Sequence, residues 1–220
     1  MAGHRGEPRR MSWWQETFLL LSLALGTSIV VKAFFMQMFF VPSASMNPEL
    51  VEEDRILVEK ISMWDGGVER GDVVVFEDPG GWLGATPEPT GFQEFLSLLG
   101  LYPEGGHLVK RVIAVGGERV VCCDKKGRLT VDGAPLDEQE YLRTGTAPSQ
   151  KQFDVVVPED AVWVMGDNRS NSQDSRFHLS DPGKGSVPLD NVVGKVWGIV
   201  WPIDRLEILD QPDPLAAADR

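Results

Sequence analysis

The sequence predicts a mostly β, antiparallel domain carried behind one N-terminal transmembrane helix. Three observations predict it. An apolar run long enough for a spanning helix opens the chain. Behind it, short β-branched runs alternate with Gly, Pro and Asp turns. Beyond the opening run, one short helical candidate near residues 92–99 is the main departure from that alternation. With 25% charged and 42% apolar residues over 220 positions, the chain has the makings of a packed core and not of a disordered segment.

The N-terminus is polar, with Arg5, Arg9 and Arg10, and is followed by Trp13 and Trp14 where an interfacial anchor would sit. The uncharged stretch Thr17–Val31 rises only about 22 Å as a helix, short of a hydrocarbon core about 30 Å thick. A helix over 14–35 spans if Lys32 snorkels to the far interface. The basic flank then puts residues 1–13 in the cytoplasm and everything after the helix outside. The net charge is −12, but residues 1–32 carry four basic against two acidic side chains, leaving −14 on the rest. So acidic a body excludes nucleic acid as a partner bound through the surface field.

The next stretch, Phe39-Phe-Val-Pro-Ser-Ala-Ser-Met-Asn-Pro48, holds two serines between two prolines. Each proline biases the residue before it toward extended backbone, so Val41 and Asn47 are expected to be extended. In a strand, Ser43 and Ser45 would share a face. A nucleophile with a neighbouring hydroxyl, a polar turn and the small-x-small end of a cleaved leader all fit these residues taken alone.

Strands are predicted at 55–60, 71–76, 107–115, 120–123, 129–131, 155–157, 161–165 and 192–200. Lys126-Gly127 and Asp132-Gly133 mark hairpins. Residues 79–106, dense in Gly and Pro, read as an insertion, and 210–220 as a frayed tail. The domain between, 36–209, is the extracytoplasmic β-rich body.

On the 107–115 strand, Lys110 falls among apolar neighbours. Desolvation can lower a lysine pKa by several units and turn it into a base for a serine hydroxyl. The alternative is a Lys110-Arg111 pair with both heads in solvent. His4, His107 and His178 sit in no recognisable catalytic setting, and the spacing of His, Cys and carboxylates predicts no metal site. Cys122 and Cys123 are adjacent, which leaves free thiols, a vicinal bridge and a redox feature all open. The loop Gly166-Asp-Asn-Arg-Ser-Asn-Ser-Gln-Asp-Ser-Arg176 lacks the spacing of a calcium loop. It reads either as a solvated loop or as a polar scaffold in which Asp174 pairs with Arg176 or Arg111.

Three of these stretches together resemble the boxes of bacterial type I signal peptidases: Pro42-Ser-Ala-Ser-Met46; Gly71-Asp-Val-Val-Val-Phe76 with Lys110-Arg111; and Gly166-Asp-Asn-Arg with Asn171-Ser-Gln-Asp-Ser-Arg176. The resemblance covers about residues 15–206. It implies the antiparallel β-sheet, signal-peptidase-like catalytic fold and a serine endopeptidase that removes signal peptides from preproteins after small residues, without a cofactor. It implies Ser45 as nucleophile, Lys110 as general base, and the Ser43 hydroxyl with the Ser45 N–H as the oxyanion hole. It further implies that Ser172 orients the lysine, that Asp174, Arg176 and Arg111 support the site, and that Val41, Pro42, Met46 and Val109 line shallow substrate pockets. The implied partners are preproteins, the lipid bilayer and the protein export machinery. Ser170 departs from the family, standing where many members have an acidic residue, and neither the insertion nor the cysteine pair is a general family feature. A specialised Ser-Lys precursor peptidase and a catalytically silent membrane-anchored binding module are the rival readings.

Overall fold

The computed structural model describes residues 12–65, 67–84 and 106–209. The expected short helix near 92–99, most of the 79–106 insertion, the basic tail and the 210–220 tail lie outside the described residues, as does the side chain of Lys32.

The apolar run forms one helix, α1 (Trp13–Phe34), of 22 residues and therefore about 33 Å. Its start is fixed where Gln15 Oε1 accepts the Ser12 N–H at 3.0 Å. Its large apolar side chains, from Trp13 to Phe34, stand exposed along its length, with nothing of the body packed over them. A four-residue helix, α2 (Ser62–Asp65), is the other α-helix among the described residues.

The rest is antiparallel sheet. The strands are β1 (Met36–Phe40), β2 (Arg55–Glu59), β3 (Val73–Glu77), β4 (His107–Val115), β5 (Arg119–Cys122), β6 (Leu129–Val131), β7 (Ala134–Pro135), β8 (Phe153–Val156), β9 (Ala161–Met165), β10 (Val187–Pro188), β11 (Val192–Trp201) and β12 (Glu207–Ile208). A large sheet runs β1-β2-β11-β3-β4-β9-β10, with β12 added to β11, and a small sheet runs β7-β6-β5-β8. Every pairing is antiparallel. The mostly β, antiparallel class read from the sequence is the class found.

Three apolar clusters hold these layers. Phe39, Val41, Met46, Leu50, Ile56 and Val196 pack on one face of the large sheet and carry the serine segment on their back. Phe76, Trp82, Leu108, Val112 and Val164 pack on the other face. Ile113, Val120, Leu129, Phe153, Trp163 and Met165 join the small sheet to the β4–β9 end of the large one. β4 contributes to all three by alternation: Leu108 and Val112 to one face, Val109 to the other, and Ile113 to the junction. The adjacent cysteines, left open by the sequence, form a disulfide at the end of β5, with Cys122 in the junction core.

The first cluster is the floor under the serine segment, so its integrity is measurable through stability. Ile56→Ala removes a fully buried side chain and is expected to cost about 2–5 kcal/mol. A thermal or urea midpoint in matched detergent should fall.

Candidate active site

The serine segment is shaped by its own sequence. Val41 exchanges backbone bonds with the turn after it, donating to the Asp54 carbonyl at 2.9 Å and accepting from Glu53 N–H at 3.0 Å. Ser43 is extended (φ −144°, ψ 155°), and Ala44–Met46 then closes a single 3-10 turn, leaving Asn47 extended before Pro48. The two hydroxyls do meet, Ser43 Oγ donating to Ser45 Oγ at 3.3 Å. They meet across that turn and not through the strand alternation expected from the sequence.

The turn is clamped from outside. Asn168 donates its backbone N–H to the Ser45 carbonyl at 3.1 Å and its Nδ2 to the Ala44 carbonyl at 3.0 Å. Ser170 Oγ donates to Asn168 Oδ1 at 3.1 Å and fixes the amide orientation. Two successive carbonyls are thereby held, which sets the direction of the Ser45 N–H and of its side chain. Gly166 lies so close that a Cβ there would collide with Ser172 Oγ and the Ser45 carbonyl, so the approach requires glycine.

Lys110 reaches this turn from β4, only 4% exposed. Its Nζ lies 2.7 Å from Ser45 Oγ and 3.0 Å from the Val109 carbonyl. Burial lowers its pKa from 10.5 to about 8, against the opposing fields of Asp174 and Asp167. Roughly a tenth of the lysine is then neutral at pH 7. The reading of Lys110 and Arg111 as a solvated pair fails at both residues, since both are buried.

Behind the lysine stands a set of buried arginine–carboxylate pairs. Arg176 grips Asp174 at 2.8 and 2.7 Å, and Asp174 Oδ2 also accepts the Gly166 N–H at 3.1 Å. Arg111 grips Asp167 at 2.9 and 2.8 Å and donates to the Gly71 carbonyl at 2.9 Å. Of the two partners expected for Asp174, Arg176 is the one found, and the carboxylate beside Arg111 comes from Asp167. Arg169 bonds Glu138 at 2.5 and 3.3 Å and the Pro148 carbonyl at 2.7 Å. Tyr141 donates to Glu138 at 2.9 Å while its ring lies under Arg111 at 4.4 Å. Arg176 closes the set by donating to the Arg169 carbonyl at 3.0 Å.

Other expectations need revision. Ser172 lines the same cleft as Ser45 and Lys110, but its buried Oγ has no hydrogen-bond partner among the described residues and makes no bond to the lysine. Val41 and Met46 are core residues with almost no exposed surface, whereas Pro42 is exposed and Val109 half-buried. His107 packs against Phe39 and His178 stacks on Trp82, and neither lines the cleft. Among the described residues no group of His, Cys, Asp and Glu is arranged to hold a metal. Sequence reasoning missed Asn168, Arg169, Asp167, Glu138 and Tyr141. The first three were inside a recognised loop but had no role assigned. Glu138 and Tyr141 sit in a stretch without periodicity, where the presence of one of only two tyrosines was the sole signal.

The family model described as "Signal peptidase, peptidase S26" matches residues 14–201. The chain is 37% identical to a probable signal peptidase I of Mycobacterium leprae, over 90% of this chain and 80% of that protein. It is 37% identical to signal peptidase I of Mycobacterium tuberculosis, over 94% of this chain and 79% of that one. Signal peptidase I of Leptolyngbya laminosa is 32% identical, over 94% and 89% of the two chains. These matches run through helix, serine segment, lysine strand and arginine–carboxylate loop as one unit, and on that extent this chain belongs to the signal peptidase, peptidase S26, family.

Proposed function

We propose that this chain is a membrane-anchored serine endopeptidase that cleaves N-terminal signal peptides from exported preproteins after small residues, with Ser45 as nucleophile and Lys110 as general base. One observation carries the reading: a buried lysine amine 2.7 Å from a serine hydroxyl, with its pKa brought down to about 8. A neutral amine at that distance can accept the hydroxyl proton as the oxygen attacks.

The chemistry is acyl transfer in two halves. Ser45 Oγ adds to the scissile carbonyl and its proton passes to Lys110 Nζ. The oxyanion forms against the Ser45 N–H and the Ser43 hydroxyl. Breaking the C–N bond sends that proton from the ammonium to the leaving nitrogen. Water then attacks the ester, giving its proton to the same amine, which returns it to Ser45 Oγ. Once Ser45 is acylated, the lysine loses its hydroxyl partner. The buried, unpaired Ser172 Oγ in the same cleft is suited to take that place, relieving a penalty of about 1–3 kcal/mol. The arginine–carboxylate set holds the loop bearing Ser172, Asp174 and Arg176.

Membrane anchoring rests on α1 and on the surface next to it. Strand register puts Met38, Leu57, Gly198 and Ile208 in one row across four strands, and Phe40, Arg55 and Trp201 in a row two residues along. Met38, Phe40, Trp201 and Ile208 are about half or more exposed. An apolar face continuous with the end of a spanning helix suits residence at a bilayer surface. The N-terminus is cytoplasmic in this reading, the body over 36–209 extracytoplasmic, and the preprotein is met at the membrane where the export machinery delivers it.

Processing of a model preprotein in detergent tests the dyad. Wild type should cut after a small residue. Ser45→Ala and Lys110→Ala should be folded yet at least 10³-fold slower, and Ser43→Ala about 10²–10³-fold slower. Cleavage by Lys110→Ala near the wild-type rate would sink the assignment of the base.

The pH profile gives a second test. Because the amine form is the active one, kcat/KM should rise about tenfold per pH unit below about 8 and level off above it.

Stability gives a third. A lysine whose pKa is lower folded than unfolded costs stability while it must be deprotonated or buried charged. The penalty, about 3 kcal/mol, is full below about 8 and fades as pH rises toward 10.5. Lys110→Met should therefore unfold at a higher temperature than wild type at pH 7, and the gap should shrink as the pH approaches 10.5.

A further inference from the structure

Two large apolar side chains, Leu83 and Phe177, line the cleft together with Ser45 and Lys110 but have no part in the proton transfers. They remain 42% and 38% exposed, although both are held by rigid local structure. The turn bearing Leu83 is organised by one carboxylate. Asp78 Oδ1 accepts the N–H groups of Gly80, Gly81 and Trp82 at 3.0, 2.8 and 2.8 Å, and its Oδ2 accepts that of Leu83 at 3.0 Å. Trp82 then locks the turn to the body. Its ring stacks on His178 at 4.3 Å with an interplanar angle of 8°, and meets Phe76 of β3 edge-on at 5.8 Å. Phe177 ends the 3-10 turn Ser175–Phe177, which Asp174 caps, and the Lys151 ammonium lies 3.8 Å over its ring. The Leu83 backbone and the Phe177 ring are thus positioned before any substrate arrives, one by the β3 side of the sheet and one by the arginine–carboxylate loop.

The chemistry says which half of a substrate they meet. The leaving nitrogen must come within hydrogen-bond reach of Lys110 Nζ to receive its proton. Lys110 alternates on β4 with Leu108 and Val112, the face that packs with Trp82 and Phe76. Val109 points the other way, into the cluster of Val41 and Met46. A chain whose carbonyl carbon lies at Ser45 therefore has its acyl half on the Pro42–Val109 side, and its leaving half crosses Lys110 toward Leu83 and Phe177.

We propose that Leu83 and Phe177 form an apolar subsite for the first residues of the released chain, so that the enzyme also selects on the sequence after the cut. This rests on the peptidase reading above. A partly open subsite of two apolar side chains favours Leu or Phe over Gly there by about tenfold.

The test uses full-length protein in detergent and peptides identical up to the cut, carrying Gly, Leu, Phe or Asp at the first or second position after it. Wild type should show about a tenfold preference in kcat/KM for Leu or Phe over Gly at one of these positions, with Asp below Gly. In Leu83→Ser and Phe177→Ala the preference should fall to within about twofold of unity, the loss falling on the apolar substrates, and Leu83→Met should retain it. A preference equal to wild type in both variants, or no preference in wild type, overturns the subsite while leaving the peptidase reading intact. No cleavage of any peptide by wild type overturns both.

Discussion

The contact between Lys110 Nζ and Ser45 Oγ, 2.7 Å long and nearly buried at the edge of the cleft, is the constraint around which the rest of the body is arranged. A lysine is useful as a base only if it is desolvated, and a desolvated lysine is unstable. The protein meets both demands by supplying charge that stays at a distance. Asp174 and Asp167 both favour the ammonium, but each is already gripped by its own arginine, Arg176 and Arg111. Neither carboxylate is therefore free to form a direct ion pair with the lysine. Such a pair would drive the pKa back up and remove the base.

That arrangement explains why the supporting residues come from so many parts of the chain. Glu138, Tyr141 and the Pro148 carbonyl come from the segment before β8, Arg111 from β4, and the remaining partners from the loop after β9. Buried ion pairs of this kind are poor sources of stability compared with apolar packing, but breaking one partner is costly, about 3–5 kcal/mol. Their value here is positional. They hold the loop backbone stiffly enough for Asn168 to clamp the Ala44 and Ser45 carbonyls. The geometry of Ser45 is thus set by a residue more than a hundred positions away in sequence.

Much of this was legible in the sequence, and what was not has a physical reason. β-branched runs between Gly and Asp turns located the strands β2, β3, β4, β9 and β11, because strand formation follows local pattern. The apolar run located α1 to within a residue at each end. The resemblance singled out Ser45 and Lys110, and the fold brings them within 2.7 Å of one another. The partner of Arg111 was not legible, since two carboxylates, Asp167 and Asp174, lie on the same loop and only tertiary packing decides which faces β4. The meeting of Ser43 and Ser45 was anticipated with the wrong backbone, because a tight turn and an extended segment between prolines read alike. Val41 and Met46 looked like pocket walls and proved to be the floor, since an apolar residue beside a nucleophile does not say which side of the chain it faces. Leu83 and Phe177 carried no pattern at all.

The short link between α1 and Ser45 has a consequence of its own. Ser45 follows the helix end at Phe34 by eleven residues, and a fully extended chain covers at most about 3.6 Å per residue. Five of those residues are committed to β1 and paired with β2. In the membrane-anchored reading proposed above, with the helix embedded and the Met38 and Trp201 rows resting on the lipid, Ser45 sits at one height above the bilayer. An enzyme so anchored would act as a fixed gauge. What it cuts would be decided by side chains in the cleft and equally by how far a substrate's own apolar segment leaves the scissile bond from the membrane.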